Sequence, residues 1–557
     1  MDLTAACAQV EQASRGLAHP EHRAAAEATL LEFRRSPHAL AACRHILDTS
    51  AAIEAQFQAA ATLRDAALRD WNALPPTERA NLRQHCLHLI LQKQPPPPPV
   101  VASQIISTLA VLLKRAWLDD DADRGAMLAE AEHAVSAAST SSARRVGLLL
   151  FAAVVAEFSP STSSPMQLPW DFHERCRANL ERDFLKHFFL HGAGVARAAF
   201  ENGAALSGAD DGVCVGALRL MSAALAWDFA RGGGVGAAGG FGYVPPPSDG
   251  GGSRTLAETS NAEGSAKVTP GPEWRDALLA PGAVDWVFAL HASAHARVSA
   301  GGDLSSAALN LRAAARAVVA ALCQLAGDLF PNLAEDPAGD ARRAHFARCV
   351  ASLNGTTTPA QTTAANAARG LGEDVLVDVA VSLSALASNH PTAYFLAPTP
   401  PPPGLAGGGD AGGGGGGGGE AAAAGGASGL SVLGELTLAV LHAGALTSDA
   451  EGTASEDALR LLMDAWGSLL SGRMTDPRLG GDPNAGVPSE VIQGAAQVFQ
   501  AYVQAGLAGA AAAAFEEDDG QEEEGKAGAA ALDERLSLAA VVGCVLYTGS
   551  HTTALAW

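Results

Sequence analysis

Residues 53–93 read IEAQFQAAATLRDAALRDWNALPPTERANLRQHCLHLILQK. Phe57, Ala60, Leu63, Ala67 and Leu68 recur at the three- and four-residue spacing of a helix face, which predicts a helix from Ile53 to Trp71. Pro75-Pro76 then stops it, because proline has no N–H to give and its ring clashes with the preceding turn. Beyond the break, Leu82, Cys86, Leu89 and Ile90 mark a second helix over Thr77 to Lys93, expected to be the partner of the first.

The same alternation extends in both directions. Upstream, Pro20 opens a helix carrying Leu30, Leu31 and Phe33, Ser36-Pro37 closes it, and Leu40, Cys43, Ile46 and Leu47 mark the next. Downstream, the run Pro95 to Pro99 separates the quoted pair from Val100 to Leu118, and the acidic break Asp119-Asp120-Asp121 precedes Met127 to Ala138 and Ala143 to Phe158. Helix pairs therefore recur roughly every 35 to 45 residues, the HEAT/armadillo spacing. No single pair can bury its apolar face alone, so neighbours must stack. The fold class expected is an all-α solenoid of HEAT-type hairpins whose inner wall clasps proteins. Further helices are expected at Val213 to Phe229, Trp274 to Val298, Ala307 to Leu329, Asp340 to Leu353, Glu373 to Leu386, Leu433 to Ala445, Glu456 to Leu470 and Ser489 to Leu507. Stretches dominated by Gly, Pro and Ala interrupt them and read as flexible inserts, Gly412 to Gly419 being unbroken glycine. The expected organisation is N-terminal repeats over 1–94, HEAT-type repeats over 95–230, an insert over 231–270, repeats over 271–397, an insert over 398–429, and repeats over 430–557 with an acidic loop at 516–524.

Composition narrows the function. The 557 residues carry 59 acidic against 37 basic side chains, a formal net charge of -22. Nucleic-acid affinity comes largely from Lys and Arg neutralising phosphates, so a nucleic-acid partner is not expected. Eight cysteines are scattered with no Cys-x-x-Cys pair, which reads as reduced, buried thiols and not a disulfide framework. Met1-Asp2-Leu3 lacks the basic and apolar character of a secretory leader. Leu536 to Trp557 has no charged side chain, yet Thr548 to Thr553 interrupt it, so a solenoid helix and no membrane insertion is expected there.

Ala26-Glu27-Ala28-Thr29-Leu30-Leu31-Glu32-Phe33, then Phe57-Gln58-Ala59-Ala60 and Trp71, resemble the N-terminal repeats of importin-β-type transport receptors, the karyopherin-β family. An export branch of that family is similar in further runs that keep their order. These include Cys43 to Ser50, Glu157-Phe158-Ser159, Asp171-Phe172-His173, Trp227-Asp228-Phe229, Glu273 to Leu279, Ala344-His345-Phe346 and Gln497-Val498-Phe499. Such receptors are longer, so the resemblance covers their N-terminal half. It implies Ran-GTP binding, docking on phenylalanine-glycine nucleoporins, and shuttling between nucleus and cytoplasm through the nuclear pore. The protein cargo implied is the hypusine-bearing translation factor 5A and Smad-type factors. A monomer without cofactor, metal or catalytic role is expected.

The family holds Ran largely on the second helix of each early repeat. With Leu82, Cys86 and Leu89 facing the core, 100° per residue turns Asn81, Gln84 and His88 outward, which makes them the candidate Ran contacts. Arg64 and Arg69, beside Asp65 and Asp70, read as plain surface charges. Glu516 to Glu524 is a solvated loop that could attract a basic cargo. Catalytic motifs fail on context. Gly234 to Gly239 spells GxGxxG but follows a helix where a dinucleotide site needs a strand. Gly520 to Lys526 approaches a phosphate loop but continues into Ala527 and holds Glu522, Glu523 and Glu524. His187 and His191 share a helix face with no local acid or cysteine to complete a zinc site.

Overall fold

The structure is a computed structural model that describes residues 2–119, 121–136, 139–159, 168–229, 267–299, 302–332, 334–357, 359–369, 372–398, 427–444, 453–471 and 487–516. The described part is all-α. Its only extended pairings among the described residues are two isolated bridges, Val268 with Leu325 and Pro398 with Ser428. The chain divides into two compact units, Met1–Asp228 with Ser306–Ala314, and Phe229–Ser305 with Ala315–Trp557.

The first unit is built from α1 (Leu3–Gly16), α2 (Pro20–Arg35), α3 (Ala39–Thr49), α4 (Ile53–Asp70), α5 (Pro76–Leu91), α6 (Pro99–Ala116), α7 (Asp121–Val135), α8 (Ser141–Phe158), α9 (Trp170–Leu180), α10 (Lys186–Glu201), α11 (Ala204–Ser207) and α12 (Val213–Leu225). Local chemistry sets the starts. Asp2 accepts from the Thr4 N–H at 2.9 Å to cap α1, Thr140 does the same for Ala143 at 3.2 Å in α8, and proline occupies the first turn of α2, α5 and α6. A single π turn, Glu181–Leu185, splices α9 into α10. Consecutive helices pair as α1 with α2, α3 with α4, α5 with α6 and α7 with α8, and α4, α6, α8 and α12 then pack in succession.

That pairing is offset by one helix from the expectation. The quoted helices α4 and α5 were to be partners, but α4 closes a hairpin with α3 and α5 opens one with α6. Prolines start helices on both sides of α5, and a proline start looks the same whether the turn lies within a hairpin or between hairpins. Charged side chains tie the layers together. Lys114 of α6 is buried with its Nζ 3.5 Å from the Glu157 carboxylate of α8. Arg177 of α9 is gripped by Glu174 at 2.6 Å and by Glu181, which also accepts from Trp227 Nε1 at 3.1 Å.

The second unit contains α13 (Arg275–Leu278), α14 (Asp285–Ser299), the last part of α15 (Ser306–Cys323), α16 (Asp340–Thr357), α17 (Ala360–Ala367), α18 (Glu373–Asn389), α19 (Thr392–Leu396), α20 (Gly429–His442), α21 (Ala454–Leu470) and α22 (Ser489–Glu516). The expected helix from Trp274 to Val298 is two helices, because Gly282 takes φ 78°, which a continuing helix cannot. The expected helix to Leu329 ends at Cys323, and Val268 pairs there through Val268 N–H to Gln324 O (3.0 Å) and Ala326 N–H to Val268 O (2.9 Å). α18 packs broadly on α21, and α20 on α22. Arg316 of α15 reaches Asp374 (2.5 Å) and Asp378 (2.6 Å) of α18.

The helices α6 and α15 are long and apolar enough to cross a membrane, yet more than half of each is buried inside the protein. α6 also buries Lys114 in a protein pair, so both read as core helices. The acidic residues 517–524, the GxGxxG run, Gly520 to Lys526 and Leu536 to Trp557 lie outside the described residues.

Candidate partner interface

Pro75 and Pro76 fix the entry of α5, and Glu78 in its first turn complements the positive end of the helix dipole. Leu82, Cys86, Leu87, Leu89 and Ile90 are buried, and Asn81, Gln84 and His88 are exposed, as the 100° rule requires. The three are not free of the rest of the chain. Asn81 donates to Glu78 Oε1 at 3.4 Å, His88 Nδ1 lies 3.0 Å from Gln92 Oε1, and Gln84 donates to Glu130 Oε2 of α7 at 3.1 Å. Gln92 donates to the other oxygen of Glu130 at 3.4 Å. Glu130 thus anchors the amides of Gln84 in α5 and of Gln92 just after it, and joins the strip. It was missed because 46 residues separate it from Gln84 and no local pattern links them.

The flank of the strip is ionic. His85, half-buried, lies 3.7 Å from Asp48, and burial lowers its basicity. Arg44 faces Glu78 at 3.9 Å, and Lys93 Nζ binds the Leu47 carbonyl at the end of α3. At the other end of α4 the Trp71 ring is buried beneath the guanidiniums of Arg79 (5.2 Å) and Arg115 (5.5 Å). Arg64 pairs with its neighbour Asp65 at 3.3 Å. Arg69 does more than expected: besides Asp70 at 2.8 Å it donates to the carbonyls of Arg34 (2.8 Å) and Ser36 (3.4 Å), closing the C-terminus of α2. Its hydrogen bond to Asp70 holds that carboxyl below the usual range.

The family-like residues are structural. Ala26, Leu30 and Phe33 of α2 are buried, whereas Leu31 between them is 46% exposed. His187 and His191 lie on α10, and an acid does reach them: Glu132 of α7 pairs with His187 Nε2. The local sequence had offered none. His191 is half-buried with its ring against Phe151, and burial lowers its basicity. Among the described residues no group of three His, Cys, Asp or Glu side chains is arranged to hold a metal.

The Exportin-4 family model matches residues 1–193. Exportin-4 of Dictyostelium discoideum is 22% identical over 178 residues, a match that covers 30% of this chain and 16% of that protein. The chain therefore spans a small part of the relative it matches. The matched region holds α1 to α8, α9 and the start of α10, including the whole α5 strip and its anchor Glu130. Residues 1–193 of this chain are an exportin-4-like region of stacked helical hairpins.

Proposed function

We propose that this chain is a karyopherin-type nuclear transport receptor that binds Ran-GTP and exports protein cargo. The observation that carries the reading is the exportin-4 likeness of residues 1–193, laid over a ladder of helical hairpins that bury their apolar faces on one another. The finer reading follows the same likeness: nucleoporins with phenylalanine-glycine repeats at the pore, translation factor 5A and Smad-type factors as cargo, and shuttling between nucleus and cytoplasm. Asn81, Gln84 and His88 are the proposed Ran contacts, with Glu130 setting the pose of Gln84. The family resemblance implies Ran on second helices, and α5 is the first helix of its hairpin, so exposed positions of α2 and α4 belong to the same proposal.

Binding of the full chain to immobilised Ran loaded with non-hydrolysable GTP or with GDP tests the reading. A receptor of this class binds the GTP form, and cargo strengthens that binding as Ran-GTP strengthens cargo binding. Replacing Asn81, Gln84 and His88 by alanine together is expected to weaken Ran-GTP about tenfold or more, at roughly 1 kcal/mol for each contributing contact. Equal capture by both nucleotide states would instead make the chain a general helical-repeat scaffold. Loss on α2 or α4 substitution alone would move the contact off α5.

A further inference from the structure

The second unit contains a buried polar knot outside the α5 strip. His390, directly after α18, is 0% exposed, and neither ring nitrogen has a hydrogen-bond partner. Its ring packs against Phe330 (5.6 Å between centroids), Phe346 (5.5 Å) and the ring of His345 (6.2 Å). His345 of α16 is also 0% exposed. Its Nε2 lies 2.9 Å from the Leu322 carbonyl, which fixes the proton on that nitrogen and leaves Nδ1 as a buried acceptor without a donor. Arg342, one turn earlier on α16 and 7% exposed, sets its guanidinium over Phe330 at 5.0 Å and donates to the Asn389 carbonyl.

The other titratable groups around the knot face His345 or lie further off, and the nearest, the Cys349 thiol, is made more acidic, against the opposing effect of burial, by Cys323 and His345. Cys349 Sγ is 3.5 Å from His345 Nε2, Cys323 ends α15, Tyr394 stands on α19, and His291 of α14 meets α16 at Ser352, 3.3 Å away. The charges that act on His390 are those of His345 and Arg342, both positive when present. A proton placed here adds like charge beside a guanidinium in an apolar cage, where the electrostatic cost is far larger than in water.

We propose that His390, caged beside His345 and Arg342, is an acid-sensitive latch, closed when this imidazole is neutral, whose protonation releases the end of α18 and α19 from α16. Burial first, then His345 and Arg342, hold His390 far less basic than a free imidazole. Above the ordinary imidazole value of 6.5 both the closed and the open forms are neutral, and the latch is at full strength. Below it the open form takes up a proton that the closed form refuses, so closure is lost as pH falls. A single such proton raises the opening constant about fivefold over the first pH unit below 6.5 and about tenfold per unit further down.

Hydrogen exchange on the full chain, corrected for the intrinsic pH dependence of exchange, reads this directly. Between pH 6.5 and 5.5, protection over residues 373–396 is expected to fall about fivefold, while residues 53–70 and 99–116, which contain no histidine, hold theirs. His390→Phe keeps a ring in the cage and removes the proton site, and is expected to abolish most of that fall. Where that variant packs poorly, exchange at the imidazole C2 of wild-type His390 serves instead, with its midpoint expected well below 6.5. Uniform loss across the chain, an unchanged fall in His390→Phe, or a C2 midpoint near 6.5 overturns the latch.

Discussion

Gly147 stands where α8 crosses α7, and it shows how little slack the hairpin contacts have. A Cβ built there would lie 2.6 Å from Val135 Cγ2 and 3.0 Å from the Ala131 carbonyl oxygen. The carbonyl belongs to a helix and cannot swing aside, so the helices must part. Gly147→Ala gains helix propensity of at most about 1 kcal/mol but overpacks the crossing by about 1–3 kcal/mol. Net destabilisation is expected, measured as a lowered midpoint in urea, whereas an unchanged midpoint would mean the two helices slide freely. Lys114 makes the opposite point. Its ammonium is out of water, where burial lowers its basicity, but it meets the Glu157 carboxylate and main-chain carbonyl and has the Phe158 ring 5.5 Å away. Nothing in the residues around 114 or 157 announces this pair, since 43 positions separate them.

At the scale of helices, what was legible followed from local rules, and what was not depended on distant contacts. Helix stops at Pro75-Pro76 and the helix face of Leu82, Cys86 and Leu89 could be read directly, and so the outward turn of Asn81, Gln84 and His88 could be read too. The pairing of α3 with α4 could not, because every helix here has an apolar stripe and periodicity does not say which neighbour covers it. α1 is hard to read because half of its buried apolar positions are alanine, Ala6 and Ala13, with only Val10 and Cys7 between. The break at Pro281-Gly282 was legible but overlooked, since a proline followed by glycine is a turn signal. The glycine-rich insert also leaves a mark on the fold. Pro398 and Ser428, on either side of it, form a bridge, and Gly429 packs so tightly on Phe395 that a Cβ would lie 2.9 Å from that ring. The two ends therefore meet without the residues between. Replacing 399–426 with a short Gly-Ser linker shortens the closed loop several-fold, and each halving lowers the closure cost by about 0.6 kcal/mol. The shortened chain is expected to be as stable as the parent or better by about 1 kcal/mol in a denaturant titration. A loss of more than that would assign the insert a structural contact.

For the molecule as a whole the dominant long-range quantity is charge, an excess of 22 negative charges over the 557 residues. Two opposing effects decide how salt acts. Excess like charge repels itself and opposes the compact state, and added salt relieves this. Ion pairs pull the other way, since salt screens them too. Many of the pairs here join near neighbours on one exposed helix, such as Arg15 with Glu11 and Arg197 with Glu201, and pairs of that kind are worth a few tenths of a kcal/mol each. The buried ties, Lys114 with Glu157 and Arg316 with Asp378, lie where salt reaches poorly. Self-repulsion should therefore win, and raising salt from about 20 to about 300 mM, which contracts the screening length to well under 10 Å, is expected to raise the melting temperature by a few degrees. The same field disfavours RNA, so anisotropy of a labelled single-stranded RNA should stay flat even at the lower salt, where phosphate contacts are strongest. A melting temperature that falls with salt would show that exposed ion pairs outweigh repulsion. RNA binding at low salt would reveal a concentrated basic face that the overall charge conceals, and would argue for a nucleic-acid cargo in place of a protein one.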